Sequence, residues 1–232
     1  MEGAWVEERL CEPGEVSMSY VGLRQEGLPL RRLESVAIAG LGGVGSWVAV
    51  FLAVSRLVTR LELVDFDYLE PHNLNRTPYR PGDVCRLKTH ALRELVGMVN
   101  PEINVVVYPY PLERVIDRLE SSVLVEATDS LKLEGILSEW VGRGKELLRV
   151  HYDGEGFTLE YNHTRDWSGG GGSGYSTAPV YVGTPVVAAG LAVHLLLWEE
   201  TGIVDSGAGG RRGFFLNGTL TGLLEGGYSW RV

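Results

Sequence analysis

The hexapeptide Gly40-Leu41-Gly42-Gly43-Val44-Gly45 follows the apolar run VAIAG (Val36–Gly40) and opens a second apolar segment. It satisfies G-x-G-x-x-G in the strand–turn–helix context that gives the pattern chemical meaning. Glycines there let the backbone turn tightly and approach a phosphate or ribose. The helix that follows offers unpaired N–H groups and a positive dipole end. Asp65, 20 residues after Gly45, closes the run LELVD, where a carboxylate can accept both hydroxyl protons of a ribose. Alone, these features indicate a nucleotide and a Rossmann-like unit, and tight strand–helix packing with no ligand is the competing reading.

The next segment, DFDYLEPHNLNRTPYRPGDVCRLK, brings Asp67, Asn73, Arg76 and Lys88 into one loop-to-helix stretch. A dinucleotide dehydrogenase has no need of this run. Arg76 and Lys88 suit the phosphate oxygens of a triphosphate, arginine as a planar fork and lysine as a mobile point charge. Asp129 ends the run SVLVEATD. It would face the same crevice, at the carboxyl end of a parallel strand. A carboxylate beside a triphosphate is a natural magnesium ligand.

The elements that must position these groups alternate. Val36–Gly40, Leu61–Asp65, Asn104–Tyr108, Ser122–Asp129 and Glu146–Tyr152 read as strands, being short, apolar and rich in β-branched residues. Gly43–Leu57, Arg86–Val99, Leu112–Leu119 and Leu131–Val141 read as helices between them. The pattern predicts an α/β, Rossmann-like fold: a mostly parallel twisted sheet with helices on both faces. After Tyr152, Gly154 and Gly156 predict a hairpin with FTLEY. A long apolar helix is expected within Val180–Trp198, and the tail from RRGFFL through TLTGLL to YSW predicts a short antiparallel C-terminal extension. The 232 residues are read as one domain, with residues 1–34 as an N-terminal arm and residues 163–178, around WSGGGGSG, as a flexible glycine-rich loop.

Composition narrows the function classes. The chain is 44% hydrophobic and 22% charged, enough for a core, and carries a net charge of -9. Such an acidic protein is a poor partner for nucleic acid. The two cysteines, Cys11 and Cys85, form no C-x-x-C pair, so neither a disulfide scaffold nor a structural zinc is expected. Val36–Val54 and Val180–Trp198 approach the length of a membrane span. The first is better explained as a strand and a helix broken by glycines, and the second as a buried or interface helix. No signal peptide is evident at MEGAWVEERL, and a cytoplasmic location is expected. His151, His163, Asp153 and Asp166 fit no zinc spacing.

GLGGVGS, LVDFDYLEPHNLNR, the lysine of RLK and EATDS occur in an order that resembles the ThiF/MoeB/ubiquitin-activating enzyme superfamily. The similarity covers about residues 36–130, and GTPVVAAGLAVHLLL resembles that family's late apolar helix. The resemblance implies a Mg-ATP-binding fold that adenylates a carboxylate, usually the C-terminal glycine of a ubiquitin-like protein. By motif, Gly40, Gly42, Gly43 and Gly45 would approach the nucleotide, with Asp67 beside them. Asp65 would hold the ribose, Asn73, Arg76 and Lys88 the phosphates, and Asp129 the magnesium ion. Arg24-Gln25 resembles the family's N-terminal Arg-Gln, whose arginine reaches a partner subunit's nucleotide site. Thr77 stands where glutamine is usual and Cys85 where glycine is usual. The zinc cysteines are absent, and no cysteine lies in 150–190, where thioester-forming members carry their nucleophile.

The resemblance therefore predicts acyl-adenylate formation without a thioester on this chain. The substrate would be either a small-molecule carboxylate, as in cofactor assembly, or the tail of a ubiquitin-like or sulfur-carrier protein. The missing cysteines and short chain favour the small molecule. An NAD-dependent oxidoreductase would leave Asn73, Arg76, Lys88 and Asp129 unexplained, and a non-catalytic subunit would not need them. The apolar helix and the family's habit predict a homodimer.

Overall fold

The computed structural model describes residues 23–130, 133–162, 180–199, 214–225 and 229–231. Eight strands, β1 (Leu33–Ala39), β2 (Val58–Val64), β3 (Asn104–Tyr108), β4 (Val123–Glu126), β5 (Glu146–Asp153), β6 (Gly156–Tyr161), β7 (Phe214–Thr219) and β8 (Ser229–Arg231), form one sheet. Their order is β3-β2-β1-β4-β5-β6-β7-β8. The first five run parallel, and β6, β7 and β8 add antiparallel to that edge.

The helices are α1 (Gly43–Ser55), α2 (Lys88–Val99), α3 (Leu112–Val115), α4 (Glu134–Gly142), α5 (Gly183–Leu197) and α6 (Leu220–Glu225). The two-residue period of the strands divides their apolar side chains between two cores. Val36, Ile38, Val123, Val125, Leu148 and Val150 pack with α1, α2 and α5. Ala37, Ala39, Leu124 and Leu147 pack with α3, α4 and Trp140. With both faces covered, the central strands can be apolar throughout, as their sequences are.

The crossovers fix where a ligand can enter. The β1–α1–β2 connection covers one face, and β4–α4–β5 covers the other. The carboxyl ends of β1 and β4, which pair directly, therefore border a crevice at the topological switch point of an open α/β sheet. The apolar stretch 36–54 is accordingly β1 followed by α1, and among the described residues no helix is long and apolar enough to cross a membrane.

Several boundaries differ from the sequence expectation for identifiable reasons. Cys85 has φ 67, the left-handed region that glycine adopts without strain; helix α2 starts after it, at Lys88 rather than Arg86. Helix α1 stops at Ser55, not Leu57, because Arg56 turns left-handed, with φ 58, to cap it. Strand β4 ends at Glu126, and residues 127–130 leave the ladder. The TLTGLL segment is mostly helical, not a strand: the Thr219 hydroxyl accepts from Gly222 N (2.8 Å), an N-cap that starts α6. The hairpin between β5 and β6 pairs Asp153 with Gly156, as expected. The glycine-rich loop and most of the N-terminal arm lie outside the described residues.

Candidate active site

Gly40 is the hinge of the site. Its φ is +84, and a Cβ there would lie 2.5 Å from the Ala127 carbonyl oxygen and 2.8 Å from Thr128 N. The chain can leave β1 against the end of β4 only with glycine at this position. At Gly45 a Cβ would meet the Gly40 carbonyl oxygen at 1.9 Å, so the motif closes on itself. Gly42, in contrast, faces open space among the described residues, with no atom within 4 Å of a Cβ built there, which leaves room for a ligand.

Asp65 follows β2 and reaches across to the turn. Its Oδ2 accepts from Leu41 N (2.7 Å) and its Oδ1 from Asp67 N (2.8 Å). Burial pushes its carboxyl above the usual range; Lys88 and the two amides offset only part of that shift. The Lys88 ammonium sits 2.7 Å from Asp67 Oδ2 and 3.9 Å from Asp65 Oδ2, with the side chain nearly buried. An incoming phosphate would have to compete with Asp67 for this amine. Tyr79 hydroxyl donates to Leu41 O (2.9 Å) beneath the turn.

The 70–77 segment is held by its own backbone. Asn73 is buried, its Oδ1 accepts from Glu70 N (3.0 Å), and its carbonyl accepts from the Thr77 hydroxyl (2.8 Å). Thr77 thus closes the turn by a direct hydroxyl bond. The indole of Trp47, on α1, donates to Arg76 O (3.0 Å), which fixes the base of Arg76. Its guanidinium donates to His72 O (2.6 Å) and Asn75 Oδ1 (3.1 Å).

Tyr152 was not singled out from the sequence. It stands near the carboxyl end of β5, and its hydroxyl lies over Gly43, where a Cβ would be 2.2 Å from it. Burial raises its phenol above the usual range, while a hydrogen bond and the charge of Arg76, with Lys88 beyond, draw it back. This side chain therefore joins the glycine turn to Arg76. Tyr152→Phe should raise the KM for ATP about fivefold, the effect of one hydrogen bond, with kcat little changed. Steady-state kinetics check this, and an unchanged KM would remove Tyr152 from the site.

Asp129 is exposed, three residues past β4 and two past the carbonyl that Gly40 packs against. The structure thus brings Gly40–Gly45, Asp65, Asp67, Arg76, Lys88 and Asp129 to one end of the sheet. Arg24 does not join them within the chain. It is exposed on a 3-10 turn, Leu23–Gln25, that precedes the amino end of β1. His151 meets Glu126, not a metal cluster; among the described residues no three acids, histidines or cysteines could enclose an ion. One carboxylate still suits magnesium, which is commonly held by one or two carboxylates plus substrate phosphates. The open groove of about 410 Å³ lined by Glu34, Arg60, Asn104 and Glu120 lies at the opposite, amino ends of the strands.

A second missed group is buried. Glu126, Arg149 and Glu160 interrupt apolar strands, a signal visible in the runs VLVE, ELLRV and FTLEY. Arg149 Nε contacts Glu126 Oε2 (3.1 Å) and its NH1 contacts Glu160 Oε2 (3.2 Å).

The profile of the ThiF family matches residues 22–182. The chain belongs to the ThiF family. Among its curated relatives, the tRNA threonylcarbamoyladenosine dehydratase of Haemophilus influenzae is 33% identical over 119 residues, 49% of this chain and 45% of that protein. Ubiquitin-like modifier-activating enzyme 5 of Arabidopsis thaliana is 42% identical over 69 residues, 30% of this chain and 16% of that protein. The chain thus spans less than half the length of these ThiF-family relatives. E. coli MccB, crystallised with MccA, superposes with a TM-score of 0.69 at 17% identity, covering 88% of this chain and 69% of that one. PaaA gives 0.64 at 20%, covering 85% and 62%. A structure of MccB with ATP gives 0.59 at 19%, covering 70% and 55%. The last three share the α/β fold of this chain.

Proposed function

We propose that this chain binds Mg-ATP and adenylates a carboxylate, releasing pyrophosphate. The observation that supports the reading is an open glycine turn with Arg76 and Lys88 at the same end of the sheet, and Asp129 three residues past the end of β4 at the same switch point. Asp65 would hold the ribose, with Asp67 and Asn73 ordering the loop. Arg76 and Lys88 would take phosphate oxygens. Asp129 would hold magnesium, which neutralises charge on the triphosphate.

In the reaction, an oxygen of the substrate carboxylate forms a bond to the α-phosphorus. The bond from that phosphorus to the bridging oxygen breaks, and pyrophosphate leaves with the electron pair. No proton moves, because the attacking carboxylate is already ionised at neutral pH. The protein's work is to align two anions and stabilise the charge that develops on pyrophosphate.

The substrate class is proposed as a small-molecule carboxylate, with a ubiquitin-like or peptide tail as the second reading because of the relatives named above. A tRNA substrate is disfavoured by the net charge of -9. The family resemblance and the apolar character of α1 and α5, with Val54 and Val182 exposed, support a homodimer. Use of ATP and an exposed free thiol at Cys85 suit the cytoplasm.

Calorimetric titration tests the nucleotide. Mg-ATP should bind, binding should weaken on chelation of magnesium, and NAD should give no heat. Binding of NAD with none of ATP would overturn the proposal.

A further inference from the structure

We infer that Glu126, acting through Thr128, is the positioning residue that sets Asp129 for magnesium; the inference rests on the proposed Mg-ATP site. Glu126 is the last residue of β4 and has no solvent exposure. Ala127 N still bonds to Ala39 O (2.8 Å). Past that point the turn is organised by the Glu126 carboxylate. Its Oε1 accepts from Thr128 N (2.8 Å) and from the Thr128 hydroxyl (2.5 Å). The same hydroxyl accepts from Ser130 N (3.3 Å). Thr128 is therefore tied to one buried oxygen, and Ser130 is tied to Thr128 through its hydroxyl, so both neighbours of Asp129 are linked to Glu126.

The other oxygen keeps the carboxylate from turning. Oε2 lies 3.1 Å from Arg149 Nε and 3.3 Å from His151 Nε2, and the second branch of Arg149 is taken by Glu160. Arg149 is 3% and Glu160 5% exposed. A buried ionic cluster is weak as a device for stability alone, since apolar residues of similar size commonly do as well. Its value here is geometric. It sits at the end of the strand that borders the crevice and hands a fixed direction to the turn that carries Asp129. Groups behind a metal-binding carboxylate orient it and tune affinity for the ion.

Thr128→Val cuts the hydroxyl links but leaves the Glu126–Arg149–His151 contacts in place, and Thr128→Ser restores a hydroxyl. The inference predicts that Thr128→Val raises the magnesium concentration for half-maximal ATP–pyrophosphate exchange about ten- to a hundredfold, with a far smaller fall in rate at saturating metal. Manganese binding to the protein–ATP complex, followed by electron paramagnetic resonance, should weaken in parallel, and Thr128→Ser should recover both. A merely structural role would lower the rate in both variants without moving either metal curve, and that result overturns the inference. Asp129→Asn separates the levels. If it weakens manganese binding while Thr128→Val does not, the positioning role alone fails. If Asp129→Asn leaves manganese binding intact, the assignment of Asp129 fails and the inference with it.

Discussion

Asp129→Ala is expected to reduce ATP–pyrophosphate exchange by about a hundred- to a thousandfold, the loss seen when one preorganised electrostatic group is removed from a reacting centre. The same fall is expected for Arg76→Ala. Neither change should lower the thermal unfolding midpoint by much, because Asp129 is exposed and the Arg76 guanidinium is held mainly by its own turn, with Tyr152 as its partner outside it. The anchor of that turn is the Arg76 carbonyl, bonded to Trp47, and it survives the substitution. Exchange is measured as incorporation of labelled pyrophosphate into ATP at saturating magnesium, with circular dichroism melting on the same samples. Exchange retained in either variant would remove that residue from the proposed machinery. Loss of exchange together with loss of fold would mean that the residue is structural.

The opposite signature is expected of Arg149→Leu. Removing one partner of a buried ion pair leaves an uncompensated charge, which costs about 3–5 kcal/mol. Here Glu126 and Glu160 would both lose their shared cation while remaining inside the sheet. His151 and Thr128 would still contact Glu126, so the lower part of that range applies. The pH dependence follows from Glu126. Burial pushes its carboxyl up, but His151, Thr128 and Arg149 together hold it below the usual range. A depressed folded value contributes stability above the unfolded value, which is lost as pH falls through the folded one. Without Arg149 part of that depression is lost, so the variant's deficit should be largest near neutral pH and shrink as pH drops below the ordinary glutamate range. Urea denaturation at pH 7 and at about pH 3 samples both sides of that range. A deficit independent of pH would show that the cost is lost packing rather than unpaired charge.

Much of the site was legible because its signals are local. A turn that must pass within 2.5 Å of a neighbouring carbonyl requires glycine, and the requirement appears in the sequence as G-x-G-x-x-G whatever surrounds it. Asp65 closes an apolar run, so its place at a strand end could be read from hydropathy alone, whereas Asp129 lies three residues past the end of β4. The alternation of strands and helices predicted the sheet, and the glycine at 154 predicted the hairpin. Even the departure at Cys85 is local: a left-handed backbone explains why glycine is usual there.

What the chain by itself determined is thus the fold class, the family and the short segments that carry chemistry. Only the tertiary structure decided how those segments engage. Lys88 was legible as a cation, but its capture by Asp67, 21 residues away, depends on the turn that β2 feeds. Tyr152 reads as one more strand residue until β5 is placed on β4, which sets its hydroxyl over Gly43 and beside Arg76. The Glu126–Arg149–Glu160 cluster joins three strands across 34 residues of sequence, with no spacing rule to announce it. The physical reason is the range of the interactions. Backbone conformation and burial period are set by neighbours a few residues apart. Charge pairing across a sheet acts over a few ångströms of space, between residues that only the strand order brings together.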